Sequence, residues 1–483
     1  MKRLVAILLV ALTAFALPLF AQQTPPPPAA PREAKLPQPV EKTLANGLRV
    51  IVVPKHDLPL VAASVLVKSG GAADPRGLAG TAELTATVLT KGTKTRSAEQ
   101  IARGIEALGA TVSSEADWDA MSVDVSVMSG NLTKAMAFVA DVVRNPTFAN
   151  AELERERAQA IDALQANLAQ PRTLAGVVAS RLLFGDAPYG SNLAGTPASL
   201  AKVTREDLVA FHRAYFRPDN AVLVFAGDVR AEDAFALAQT LFGTWKGAAP
   251  AAAAEKQAAA TLPKPRVVVV DMPEAGQAAV VVGRPGIRRN DPAYYRALVT
   301  NSILGAGYSS RLNQEIRIKR GLSYGAGSSF DARADAGPFT ARTETKNESA
   351  ADVVGITVAE LGRLSTADVP ESELTPRKAA LIGGFAESLE TTSGIVGRVS
   401  TLALHGLPLT DINRYVSSVQ AVTAEDVRKF AASNLGSDLS IVIVGDVAKF
   451  LEPLKKQFPD VEVIKASELD LGSATLRVRK PKQ

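Results

Sequence analysis

Catalysis needs nucleophiles, acids or metal ligands at workable spacing, and this chain is short of them. It has three histidines, His56, His212 and His405, and no cysteine. Without thiols there are no disulfides, thiolate zinc sites, iron–sulfur clusters or cysteine nucleophiles. The histidines lie far apart, and no two have the i, i+4 spacing that sets a pair of imidazoles on one helical face. Scattered histidines of this kind read as surface or satisfied core residues. No G-x-S-x-G elbow marks a serine triad. Gly305-Ala306-Gly307 lacks the Lys-Ser/Thr pair of a phosphate loop, so it reads as a turn.

The elements that position such residues belong to a chain of 483 residues, too long for one hydrophobic core. With 47% hydrophobic and 21% charged residues, its composition is that of an ordinary globular protein. The net charge of +5 is small, and no Lys/Arg stripe carries interleaved aromatics, which excludes a nucleic-acid partner. At the N-terminus Lys2 and Arg3 precede the apolar run LVAILLVALTAFALPLF, broken by Pro18, and Ala21 precedes a polar pair. This is the order of a secretory signal, here residues 1–21, although Leu19 occupies the third position before the cut and Ala14-Phe15-Ala16 is a second candidate. It predicts an exported protein, periplasmic, secreted or held at a membrane surface, with no transmembrane segment in the mature chain. The proline-rich stretch within 22–41 favours extended polyproline II and reads as a spacer. An alanine-rich stretch at 246–265 reads as a linker, and 476–483 as a basic tail.

The linker separates two halves, 42–245 and 266–475, that resemble each other. VTREDLVAFHRAYFRPDNAVLVFAGDV (203–229) matches VTAEDVRKFAASNLGSDLSIVIVGDV (422–447), including Gly227-Asp228-Val229 against Gly445-Asp446-Val447. In each, a threonine stands three residues before an aspartate, which is a helix-start signal, and an apolar strand follows the helix. Each half also opens on two strand-like runs, 47–70 and 266–286. Asp291 followed by Pro292 predicts a helix start in the second half. A strand pair, several helices and a late strand in each half point to a duplicated α+β fold, with helices covering one face of a mixed sheet.

GLAGTAELTATVLTKGT (77–93) then gains meaning. It resembles the zinc helix of the pitrilysin, insulysin and mitochondrial processing peptidase family, in which H-x-x-E-H precedes K-G-T. YFRPDNAVLVFAGDV (215–229) and LGAGYSSRLNQEIRIKRGLSYGAGSSF (304–330) resemble two further motifs of that family, and the likeness covers roughly residues 42–475. It implies two processing-peptidase-like α/β sandwich domains, each with a mixed, mostly antiparallel sheet.

Counting back from Lys91-Gly92-Thr93 places Glu83 and Thr87 where the family has its two histidines, and Ala86 where it has the catalytic glutamate. The distant ligand position, seven residues after Glu156, is Ala163, with Asp162 beside it. Two carboxylates without imidazoles make a poor zinc site, and Ala86 cannot take a proton from water. The resemblance therefore implies a chain with no metal or cofactor of its own and no activity alone. The family's Arg/Tyr pair, which holds the substrate backbone and the oxyanion, falls on Arg317 and Tyr324, seven residues apart, with Gly321 between them to permit a turn and Tyr324 on the next strand. A guanidinium and a phenol can both donate to an oxyanion. The alternative is that Arg317, Lys319 and Arg320 complement a helix C-terminus while Tyr324 packs. The expected role is that of a non-catalytic subunit, pairing with a zinc-bearing homologue and binding a peptide or unfolded protein as an added strand. The competing expectations are a stand-alone peptide-binding or scaffolding protein, and an enzyme with a different metal or none.

Overall fold

The computed structural model describes residues 38–247 and 262–478. The expected signal, nearly all of the spacer, most of the linker and the end of the basic tail lie outside the described residues. Two six-stranded sheets form the frame. The first contains β1 (Val40–Thr43), β2 (Arg49–Pro54), β3 (Leu60–Val67), β4 (Thr111–Ala116), β5 (Met121–Met128) and β6 (Ala221–Gly227), in the order β1-β2-β6-β3-β5-β4. The second contains β7 (Val267–Asp271), β8 (Ala278–Pro285), β9 (Ala326–Phe330), β10 (Pro338–Thr345), β11 (Ser440–Gly445) and β12 (Val461–Lys465), in the order β12-β7-β11-β8-β10-β9. Each is mixed and mostly antiparallel. In the first sheet only β2 and β6 run parallel; in the second, β7 runs parallel to both β11 and β12.

Five strands repeat between the sheets, and the sixth does not. The first half completes its sheet with β1, antiparallel to β2, whereas the second uses the late strand β12, parallel to β7. Strand periodicity explains which face is which. In β5 the residues Met121, Val123, Val125 and Val127 are buried while Ser122, Asp124 and Ser126 point the other way. The late helices start where the sequence predicts. Thr204 and Thr423 accept from the backbone N–H of Asp207 and Asp426, whose side chains return the bond. Asp291 does not start a helix. Its carboxylate accepts from the Ala293 N–H in a turn, and the helix begins at Tyr294, because the backbone around Pro292 closes on itself first.

Each sheet buries one face under helices of its own half. The other face receives a helix from the opposite half. The Thr392–Leu404 helix lies across β3 and β6, with Ile395 and Val399 fully buried, and the Pro171–Phe184 helix lies across β8 and β11. The two cores so formed contain residues of both halves, so the halves are interlocked.

Candidate functional site

The Thr81–Leu89 helix forms as expected, but its polar groups serve the fold. Gly80 enters it at φ +96, a left-handed conformation that favours glycine. In place of a side-chain cap, the Asp74 carboxylate reaches over and accepts from the Gly80 N–H at 2.7 Å and the Ala82 N–H at 2.8 Å. Burial pushes Asp74 up to about 7 even though these bonds pull the other way. Ala86 is 1% exposed and belongs to the apolar core. Thr87 donates its hydroxyl to the Glu83 carbonyl at 2.9 Å, spending it inside the helix. Burial pushes the Glu83 carboxyl up, and the neighbouring Glu115 carboxylate adds to this.

The Asn150–Leu168 helix packs against this one, as a ligand-bearing helix would. Glu156 is buried and pairs with Lys91 at 3.3 Å and Arg155 at 2.8 Å, pinning the two helices together. Asp162 and Ala163 are exposed. The donor set does not fit a zinc ion: of the three ligand positions Ala163 is a methyl group and the Thr87 hydroxyl is already committed, which leaves Glu83 alone. Among the described residues no group of three His, Cys, Asp or Glu side chains stands close enough to hold a metal. His212 bonds the Val143 carbonyl, and His56 bonds Asp228.

Arg317 and Tyr324 come together. Arg317 sits in a turn of π-helix, Asn313–Ile318, a local irregularity often found at functional positions. The chain then reverses at Gly321, φ +61, where the Gly321 N–H returns to the Arg317 carbonyl at 3.0 Å and the Leu322 N–H to Ile316 at 2.9 Å. This brings the Tyr324 ring to 4.5 Å from the guanidinium carbon. The sequence placed Tyr324 on the next strand; it lies in the bend before β9, since Ser323 and Gly325 close a local turn first. That position leaves Tyr324 88% exposed.

A third residue escaped the sequence reading. Tyr308 stacks at 4.9 Å on the same guanidinium and is itself largely exposed. Its signal was its place in the LGAGYSSRL motif, where neighbouring glycines and serines drew the attention. Buried Asn313 holds the arrangement, donating to the Tyr308 carbonyl and accepting from the Ala326 N–H that opens β9. Glu315 is engaged by Lys319 and Arg320, both at 2.5 Å, which hold its carboxyl down at about 2. Among the described residues Arg317 has no ion pair or hydrogen bond of its own. Its guanidinium lies against both tyrosine rings and leaves its N–H donors without a protein partner, so they can serve an oxygen supplied from outside.

The sheet edges differ in a way that bears on peptide binding. At β9 the outward N–H of Ala326 is taken by Asn313 and that of Ser328 by the Gly305 carbonyl at 3.2 Å. Gly305 approaches so closely that a Cβ would sit 2.2 Å from the Ser328 nitrogen, so the glycine turn serves close packing. At β4, the edge of the first sheet, the outward backbone groups have no partner among the described residues. Of these two edges, β4 is the one open to an added strand.

Residues 49–196 match the insulinase family (peptidase family M16), and residues 202–381 match the peptidase M16 inactive domain. An uncharacterized zinc protease of Mycobacterium tuberculosis is 30% identical over 86% of this chain and 95% of its own length. The uncharacterized zinc protease YmxG of Bacillus subtilis is 23% identical over 83% and 97%. Among solved structures, a peptidase M16 inactive domain from Pseudomonas fluorescens superposes with a TM-score of 0.78 at 26% identity, covering 84% of this chain and 98% of its own. A protease from Helicobacter pylori shares the fold, with a TM-score of 0.79 at 21% identity over 85% and 100%. The chain belongs to peptidase family M16, the pitrilysin-like peptidases, as a non-catalytic member.

Proposed function

We propose that the chain is the non-catalytic subunit of an exported, heteromeric zinc metalloendopeptidase. It pairs with a zinc-bearing homologue, holds an extended peptide and donates hydrogen bonds to the oxyanion formed in the partner's active chamber. The observation that carries this reading is Arg317, lying against the Tyr308 and Tyr324 rings with no side-chain partner of its own and the Tyr324 ring exposed. A structural arginine is expected to be paired. An unpaired donor at the surface is suited to a transition state supplied from outside. The open β4 edge supports backbone recognition of an extended peptide. The zinc would reside in the partner, since the Glu83/Ala86/Thr87/Ala163 set fits none. The basic start, apolar run and Ala21 of the N-terminus support export to the periplasm.

The test is co-purification with a zinc-bearing homologue from the same organism, followed by peptide cleavage assays. Arg317→Ala is expected to lower kcat by about a hundredfold, ~3 kcal/mol, with KM little changed. Undiminished cleavage by that variant would remove Arg317 from the reaction. Failure of any zinc-bearing homologue to associate would leave the stand-alone peptide-binding or scaffolding role.

A further inference from the structure

We infer a second anion-recognition point on this chain, a subsite for the carboxylate of an acidic peptide side chain, built around Arg342. The inference rests on the reading of the chain as a peptide-binding subunit and concerns which peptides it takes. Arg342 lies on β10 and points to the sheet face away from the Phe339 and Ala341 core. Its Nε donates to Thr340 Oγ1 at 3.2 Å, and among the described residues its two Nη groups have no acceptor and no carboxylate within ion-pair distance. The neighbouring cations are served: Arg172 faces Glu344 at 3.6 Å, and Arg333 holds Asp331. Arg342 is exposed to solvent, and the nearby Arg172 and Arg333 add positive charge around it.

Room for a ligand is built in. Arg342 pairs in register with Gly327 on β9, which brings no side chain to that face. Gly176, on the Pro171–Phe184 helix alongside, has no neighbour within 4 Å of its Cβ position except Arg342 Nη1 at 3.5 Å. Ser329 and Thr340, 3.4 Å apart on the same face, add hydroxyl donors. Gly327 is three positions along the chain from Tyr324, roughly 10 Å at ~3.3 Å per residue. An extended peptide held at Tyr324 would bring a residue about three places away over Arg342.

The duplication supplies an internal contrast. By sheet register, Asp124 on β5 holds in the first sheet the place that Arg342 holds in the second. Both are tethered to a hydroxyl two residues earlier, Ser122 and Thr340. The same scaffold position thus carries opposite charges, and the second half has the one that selects acids.

The experiment measures binding of the purified chain to unstructured peptides that are twins except for one Glu or Gln, at physiological and raised salt. The acidic twin is expected to bind about tenfold tighter, the scale of a charge-assisted hydrogen bond. Arg342→Gln should abolish the preference, Arg342→Lys should retain part of it, and Asp124→Asn should leave it intact. Inorganic phosphate at equal ionic strength separates general anion binding from side-chain recognition; if it displaces both twins equally, the subsite is not a peptide subsite. Equal binding of the twins, a preference that survives Arg342→Gln, or no binding of either at millimolar concentration overturns the inference. The subunit reading fails separately, through unaltered cleavage by Arg317→Ala, and each can fail while the other stands.

Discussion

At the scale of single residues, the Arg317 guanidinium lies against two phenol rings. In the proposed role these contacts limit the rotamer freedom lost when Arg317 donates. Tyr308 and Tyr324 are not equivalent in this proposal. Tyr324 would offer an O–H to the same oxygen, whereas Tyr308 would contribute only its ring to holding the guanidinium. Tyr308→Ala is therefore expected to reduce cleavage by the assembled pair less than Arg317→Ala does, by about three- to tenfold, the scale of one exposed cation–π contact. Tyr308→Phe should restore nearly full activity. Steady-state kinetics on the three variants checks the order. An equal loss for Tyr308→Phe and Tyr308→Ala would mean that the hydroxyl acts directly.

At the scale of elements, two features depend on backbone geometry. The first is the Thr81–Leu89 helix, started by the buried Asp74 instead of an N-cap side chain. Burial raises the Asp74 pKa to about 7 in the fold, against 3.8 unperturbed, so the folded state favours the neutral form. Above the unfolded value the unfolded chain ionises first. Stability therefore falls as pH rises from about 4 to 7 and levels off beyond, by roughly 4 kcal/mol at about 1.4 kcal/mol per pKa unit. Asp74→Asn should flatten that slope in urea midpoints measured across this window. The second feature is the Gly305 turn against β9. Gly305→Ala puts a methyl 2.2 Å from the Ser328 nitrogen, where backbone must give way. We expect a loss of roughly 2 kcal/mol or more in denaturant unfolding, together with weaker cleavage as β9 and Tyr324 shift.

At the scale of the whole molecule, the exchanged helices decide how the protein unfolds. Because Ile395 and Val399 complete a core with β2, β3 and β6 of the first sheet, neither half closes its sheet alone. Calorimetry on the chain is expected to show one cooperative transition in place of two. Ile395→Ala should cost about 2–5 kcal/mol and move that single transition, with no early melting of one half. Two resolved transitions would contradict the interlocked cores.

Much of this was legible in the residue order because it is written locally. Alternation in β5, the Thr-x-x-Asp helix starts and the repeated Gly-Asp-Val fix elements through short-range periodicity and hydrogen bonds, and a duplication is visible wherever both copies keep the same pattern. That Ala86 and Ala163 carry no donor atom was equally plain, since that holds in any fold. The structure decided what depends on approach through space. It turned Asp291 into a turn residue, left Tyr324 before β9, and brought Tyr308 over Arg317. It also closed the β9 edge with Gly305 while leaving β4 open, and laid a helix of each half across the sheet of the other. Those outcomes follow from packing between segments distant in the chain, which spacing along the sequence does not encode.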